Sequence, residues 1–211
     1  TFANMLADVC EKTPGADTEA ISRALGLDAR IGPKNLKGGL GFGGPCFPRD
    51  NRAFATFAEA RGADARLSRT VHEVNLHACR RVANRVASLA PKGGRIAVLG
   101  LAYKPHTPLV EASPSLEIVR ALKSQGCMVC VHDPVALPNA RAELGDTVTY
   151  AESIETCLLG ADAAIVALAC DEYRALRAGA FKKTLNAGGL VIDCGRLYSG
   201  QDFAGLSYRA V

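Results

Sequence analysis

No run of lysine or arginine occurs anywhere in this 211-residue chain, and its formal net charge of +4 is spread thinly. That pattern gives a nucleic-acid role little support, because phosphate backbones are met by clustered cations. A mild positive excess suits an anionic substrate without demanding one. No apolar stretch approaches the ~20 residues of a membrane span, and no secretory signal opens the chain. Internal repeats and low-complexity stretches are missing as well. No GxGxxG follows any strand-like segment, the context that lets a dinucleotide pyrophosphate approach the backbone at a helix start; the spelling occurs only at Gly39–Gly44, in the helical part. Hydrophobic residues, by contrast, make up 48% of the chain, enough core for one large domain or two small ones.

The first residue is Thr1, and Phe2, Met5, Leu6, Val9 and Cys10 already follow helical spacing with no capping signal ahead of them. The reading is a chain cut inside a longer helix. Eight cysteines stand at 10, 46, 79, 127, 130, 157, 170 and 194. With no secretory signal, and with most of them in apolar patterns, they are expected as free buried thiols of a cytoplasmic protein. Cys127 and Cys130 form a CxxC within a strand-like segment, where residues three apart face opposite sides. No second CxxC follows, so no metal or redox site is expected there.

Up to about residue 90 the pattern is helical. Helices are expected from the start to about Lys12, from Asp17 to Gly26, from Pro48 to Arg61 and from Ser68 to Leu89. On the last, Val71, Val74, Ala78, Val82 and Val86 form an apolar stripe, and Arg80, Arg81 and Arg85 beside it read as a solvated face. Pro91-Lys92-Gly93-Gly94 is a linker that divides a helical segment, 1–92, from a second domain, 93–211. The rhythm then changes to strand–helix alternation. Strands are expected at 95–103, 127–133, 148–150, 161–169 and 190–195. Helices are expected at Ser113–Gln125, Ala136–Leu144, Ser153–Leu159 and Phe181–Asn186. Ser113 should cap its helix, with Pro114 in the first turn and Glu117 completing a capping-box-like start. The fold class is therefore α/β: a helical segment followed by a doubly wound, Rossmann-like parallel sheet covered on both faces.

The first strand of that sheet ends in Gly100-Leu101-Ala102-Tyr103-Lys104, with two of the three fingerprint glycines replaced, so NAD is not expected to bind there. Lys104 at a strand end fits a cation for a phosphate or an ordinary surface lysine, and both readings stay open. More specific is Gly38 to Asp50, GGLGFGGPCFPRD, where five glycines precede one cysteine. Glycines allow positive φ and close approach of backbone to a ligand. Cys46 sits just ahead of Pro48, which favours the first turn of a helix. A thiol there faces the positive end of the backbone dipoles, a setting that makes thiols nucleophilic, and Arg49 adds a cation. Asp50, about one turn on, is placed to orient water beside the sulfur. Taken singly, Cys46 is equally a small buried filler and Asp50 a helix-capping acid; the glycines tip the set toward function.

GFGGPCFPRD resembles the GFGGSCFPKD signature of the UDP-glucose/GDP-mannose dehydrogenase family. Arg30-Ile31-Gly32 is similar to the family's RIG upstream, and Val74-Asn75 to its VN. The stretch from Ile96 to Ser113, with Tyr103-Lys104 and Thr107, resembles a strand followed by FKxxTxDxR. His132-Asp133-Pro134 resembles YDP. These matches run in order through nearly the whole chain. The resemblance implies most of a central helical domain plus a carboxyl-terminal nucleotide-binding domain. The amino-terminal NAD domain, and a helix half that supplies a catalytic Lys and Asn, would lie outside these residues. It further implies Cys46 as nucleophile and Asp50 as the acid that helps activate water. Phe42 and Gly43 would line the substrate, and Lys37 and Lys104 would approach the nucleotide sugar. Arg30 would reach into the neighbouring subunit's site, hence a homodimer through the central helices.

Several positions depart from the family pattern. Arg49 replaces Lys, and Pro45 replaces Ser. Leu109 and Glu111 stand where Asp and Arg are usual, reversing charge beside Lys104. IDCGRLYS, with an extra residue before Gly195, replaces an IDGRN-like stretch, which leaves Arg196 to do the work of an arginine one position earlier. The activity implied is oxidation of UDP-glucose at C6 to UDP-glucuronate with two NAD, by way of a cysteine thiohemiacetal and thioester. UDP-N-acetyl-hexosamine and GDP-mannose are alternative substrates. Two other classes compete: a nucleotide-binding module without catalysis, and a cysteine hydrolase, which would need a histidine near Cys46 and has none close in sequence.

Overall fold

The computed structural model describes the backbone of residues 1–211 and every side chain except those at positions 200 and 201. Four helices come first: α1 (Phe2–Glu11), α2 (Thr18–Gly26), α3 (Phe47–Ala60) and α4 (Arg66–Leu89). Asp17 starts α2 by accepting the Glu19 N–H at 2.9 Å, which satisfies one of the free amides of a first turn. Proline in the first turn opens α3, directly after Cys46.

Beyond residue 94 the chain builds a six-stranded parallel sheet from β1 (Arg95–Leu99), β2 (Met128–His132), β3 (Thr149–Tyr150), β4 (Ala163–Val166), β5 (Leu190–Asp193) and β6 (Ser207–Ala210). Their order is β3-β2-β1-β4-β5-β6, the doubly wound arrangement expected from the alternation. The connections carry α5 (Pro114–Ser124), α6 (Leu137–Leu144), α7 (Ile154–Leu158), α8 (Asp171–Arg174) and α9 (Ala178–Thr184). Strands β4 and β5 are buried at every position, which is why they read as unbroken apolar runs rather than alternating ones.

Some elements differ from the sequence reading. The strand expected over 161–169 is only Ala163–Val166, and the last expected helix lies at Ala178–Thr184. Helix α8 and edge strand β6 were not expected. In β6 the sequence SYRA is only half-buried, so it carries little apolar signal. Ser113 does cap α5, its Oγ accepting the Ser115 N–H at 3.2 Å. Glu117 does not complete the capping box. Its carboxylate accepts from Arg120 at 2.9 Å, and Arg120 also reaches Glu143 on α6 at 3.1 Å, so a charged donor one turn on takes the carboxylate.

Helix α4 joins the two halves. Its second half contributes Cys79, Val82, Ala83 and Val86 to the same apolar core as Ile96, Leu99, Ile118 and Ile165. Its first half packs beside α3, and α1 crosses it. The solvated-face reading of its arginines is corrected at two of three positions. Arg80 is exposed, but Arg81 Nη1 lies 2.5 Å from Glu11 Oε2 and 3.5 Å from Asp8 Oδ1, and Arg85 Nη1 lies 2.6 Å from the same Glu11 oxygen. Burial would raise the Asp8 carboxyl, but the Lys12 hydrogen bond and the Arg81 charge offset that and hold it below its usual value. Helix α1 covers these guanidinium groups, and nothing in the period of α4 alone announces that.

Arg81→Ala is therefore expected to cost about 3 kcal/mol in urea unfolding, because Glu11 and Asp8 stay under cover with one cation fewer. Arg120→Ala, at a half-exposed pair, should cost less than about 1 kcal/mol. Equal costs would mean that water already screens the α1–α4 cluster.

Candidate active site

Cys46 occupies the residue immediately before α3 and is exposed, whereas the other seven cysteines are free and buried. Its carbonyl accepts the Asp50 N–H at 2.8 Å, so Asp50 stands one turn along the same helix. The Asp50 carboxylate takes Arg49 Nε at 2.8 Å, and both side chains are well exposed. The Asp50 hydrogen bond, then the charges of Asp50, Cys46 and Glu111, raise the Arg49 guanidinium above its ordinary value. The first turn of α3 thus brings a thiol, a carboxylate and a guanidinium to one exposed face.

The glycine-rich loop ahead of Cys46 is held by two asparagines from two helices. Asn75, buried on α4, accepts the Phe42 N–H at 2.7 Å and donates to the Phe42 carbonyl at 2.8 Å. Asn4, on α1, accepts the Gly39 N–H at 3.0 Å and donates to the Leu40 carbonyl at 3.3 Å. Gly41 lies so close that a Cβ there would sit 2.5 Å from Asn75 Oδ1. The loop then presses on the segment following β1. The Gly44 N–H donates to the Glu111 carbonyl at 3.0 Å. A Cβ on Gly43 would overlap the Ala112 carbonyl and sit 2.7 Å from Pro114 Cδ, and one on Gly44 would sit 2.5 Å from the Tyr103 ring. Lys104 Nζ lies 5.4 Å from the centre of that same ring, within cation–π range. Phe42 meets Phe47 edge-on at 6.1 Å.

The structure therefore gathers Phe42, Gly43, Cys46, Asp50 and Lys104 along one seam between the helices and the sheet. Other sequence-derived candidates have neighbours of their own. Arg30 is exposed and forks onto Asp28, with Nη2 at 2.6 Å. Lys37 borders a hollow of about 300 Å³ with Glu19, Ser22 and Arg23. Arg196 has a positive φ of 49° and turns Nε toward the Val211 carbonyl at 3.4 Å. In the sequence Asn4 stands out only as part of a helix and Asn75 only as a point of resemblance. An asparagine inside a helix is a poor helix former, a weak hint that its amide is used elsewhere.

The carboxyl end of β1 does not fit a dinucleotide. The Leu101 and Ala102 N–H groups, which would face a pyrophosphate, donate to Asp133 Oδ2 at 2.7 and 3.0 Å. Asp133 Oδ1 takes the Val135 and Ala136 N–H groups at 2.9 and 2.8 Å. The acid after β2 is thus turned inward and fully engaged, where a ribose hydroxyl would need it free. Gly100 presses on Leu168, just past β4, where a Cβ on the glycine would overlap the Leu168 Cβ. As for the CxxC pair, Cys157 Sγ donates to the Cys130 carbonyl at 3.4 Å, and no cluster among the described residues could hold a metal.

Two outcomes follow from this geometry. Iodoacetamide at neutral pH should label Cys46 before any other thiol, read by peptide mapping. Burial pushes Cys79 and Cys170 up to about 11, which leaves them on the order of 10⁻⁴ thiolate at pH 7. First labelling of a core cysteine would contradict the exposure of Cys46. Gly43→Ala should destabilise the chain by about 1–3 kcal/mol through the Ala112 and Pro114 overlap, whereas Gly179→Ala, in open space on α9, should stabilise it by up to ~1 kcal/mol. A neutral Gly43→Ala would mean that the seam is loose.

Comparison with known proteins identifies the family. Residues 1–77 match the central domain of the UDP-glucose/GDP-mannose dehydrogenase family, and residues 97–200 match its UDP binding domain. The chain is 34% identical to UDP-glucose 6-dehydrogenase TuaD of Bacillus subtilis, over 100% of this chain and 46% of that protein. It is 35% identical to a UDP-glucose 6-dehydrogenase of Rhizobium meliloti, over 99% and 48%. It superposes on a UDP-glucose dehydrogenase from Pyrobaculum islandicum with a TM-score of 0.84 at 35% identity, covering 99% of this chain and 46% of that one. The chain thus spans just under half the length of these relatives. A central-domain match that ends in α4, a UDP-binding match that begins in β1, and relatives of one name over its full length place this chain in the UDP-glucose/GDP-mannose dehydrogenase family.

Proposed function

We propose that the whole protein to which these residues belong oxidises C6 of UDP-glucose to the carboxylate of UDP-glucuronate, with Cys46 as nucleophile. The observation that carries this reading is the exposed thiol at the start of α3, presented by a glycine loop on the seam between helices and sheet. Two NAD would accept the two hydrides, held by a part of the protein outside these 211 residues. Oxidation of the alcohol leaves an aldehyde, to which the Cys46 sulfur adds. The thiohemiacetal so formed is tetrahedral, and its oxygen lone pair can expel the C–H hydrogen as hydride, whereas the C–H of the bare aldehyde is a poor hydride donor. The resulting thioester takes up water, releasing the carboxylate and regenerating the thiol. Asp50, one turn from Cys46, is assigned to orienting and deprotonating that water.

Phe42 and Gly43 would line the sugar, while Lys104 and Lys37 approach the nucleotide sugar and Arg196 takes the place of the family's arginine near β5. Arg30, exposed and paired only with Asp28 two residues before it among the described residues, would serve a second subunit in a homodimer built through the central helices. UDP-glucose is preferred over amino-sugar nucleotides and GDP-mannose because the relatives at 34–35% identity carry its name. The solved UDP-D-ManNAc and GDP-mannose dehydrogenases, at 23% and 18%, share the fold. Free thiols throughout accord with a cytoplasmic setting.

In the full-length enzyme, Asp50→Asn should slow turnover by roughly 10²–10⁴-fold and accumulate a covalent sugar adduct on Cys46, read by intact-mass spectrometry after mixing with UDP-glucose and NAD. A slow enzyme without adduct would move Asp50 to an earlier step, and a wild-type rate would remove it from the reaction. The 211 residues alone should take up UDP in calorimetry without reducing NAD. Saturable NAD binding to them would overturn the division of labour proposed.

A further inference from the structure

We infer that Asn75 and Asn4 are positioning residues for the reacting loop: their side-chain amides act as a two-point clamp that sets where the glycine loop presents Phe42 and Cys46. This inference rests on the reading of Cys46 as nucleophile. The Asn75 amide pairs with both polar groups of the Phe42 peptide, as a neighbouring strand would, at 2.7 and 2.8 Å. Asn4 does the same across Gly39 and Leu40 at 3.0 and 3.3 Å. Neither loop segment has a strand beside it, so the two amides supply the ladder that the backbone lacks.

The clamp is stiff because its two jaws are joined. Helix α1 is fixed to α4 by Arg81 and Arg85 on Glu11 and Asp8, and α4 is fixed to the sheet by its own apolar half. Glycine is required where the jaws close, since Gly41 has no room for a Cβ against Asn75 and Gly38 none against Ala7 Cβ at 2.7 Å. Four residues beyond Phe42 the chain reaches Cys46. Between them Gly44 is tied to Glu111, so little slack remains. Small misplacements of a reacting group from remote changes cost up to about 10²-fold in rate, the scale on which this clamp should act.

The test uses the full-length enzyme. Asn75→Ala should lower kcat for UDP-glucose by about 10–100-fold and change the KM by less. Asn186→Ala serves as control. Its amide also bonds a backbone carbonyl, Gly160 at 3.2 Å, but beside the start of β4 rather than at the seam; kcat should be unchanged there even where the thermal midpoint falls equally. Asn75→Asp separates positioning from stability. An ionised carboxylate keeps the bond to the Phe42 N–H but repels its carbonyl, while the protonated form donates to it. Burial raises a carboxyl's pKa, so the ratio of this variant's kcat to that of the unaltered enzyme should climb as pH falls from about 8 to about 6. If neither change at position 75 folds, Asn4→Ala, at the half-buried jaw, decides by the same kcat criterion. Unaltered kcat in folded Asn75→Ala or Asn4→Ala, or a flat pH ratio for Asn75→Asp, overturns the clamp. Absence of UDP-glucose oxidation in the unaltered enzyme instead defeats the functional reading. The clamp is then judged by Cys46 alkylation: a rate at least about threefold below that of the unaltered chain supports it, and an equal rate refutes it.

Discussion

Burial of α4 against α5 and the core of the sheet is the constraint on which the other arrangements rest. Cys79, Val82, Ala83 and Val86 lie in one core with the strands, and at roughly 25 cal/mol per Å² of apolar surface such burial fixes the rotation of a helix about its axis. That rotation places Arg81 and Arg85 under α1 and points Asn75 at Phe42. A helix turned by one residue would aim the Asn75 amide elsewhere and leave the α1 carboxylates without their cations. The glycine loop therefore takes its place from a core that it meets only through Leu40.

Close approach is the second theme of the seam. Gly41, Gly43 and Gly44 each lie where a Cβ would strike a neighbour: Asn75, the Ala112 carbonyl and the Tyr103 ring. Glycine here costs conformational entropy that a larger residue would spare, and the gain is a loop welded to both halves of the chain within seven residues of Cys46. The segment it welds to includes Ala112 with a positive φ of 47°. Such a conformation is uncommon for a residue with a Cβ and persists where surrounding contacts over-determine it.

The two buried carboxylates at the strand ends have structural tasks. Asp133 accepts four backbone N–H groups around the ends of β1 and β2. Asp193 accepts from Gly195, Tyr198 and the Tyr208 hydroxyl. Its burial first, and then the bond to Asp193, push the Tyr208 hydroxyl up. Each acid organises the turn after its strand, and in doing so Asp133 uses the amides that a dinucleotide would require. A shared doubly wound fold thus does not carry a shared ligand, because the ligand is decided by which turn amides remain free.

Much of this molecule is legible along the chain. Apolar runs bounded by turns mark the buried strands β1, β2, β4 and β5. Ser113-Pro114 marks the start of α5, and the density of glycine before Cys46 marks a loop in close contact with something. These features are local, and local patterns report on periodicity, capping and backbone freedom. Tertiary structure alone decided the partners. The half-buried edge strand β6 had no pattern to show, and Glu117 had a choice between two acceptor roles that Arg120 and Glu143 settled. Arg81 and Arg85 looked like solvent-facing charges until α1 covered them. Asn4 and Asn75, 71 positions apart, became neighbours of one loop only through the docking of two helices. Residue types and spacing encode which groups are able to bond, and which groups meet is set by long-range burial, which no window of sequence contains.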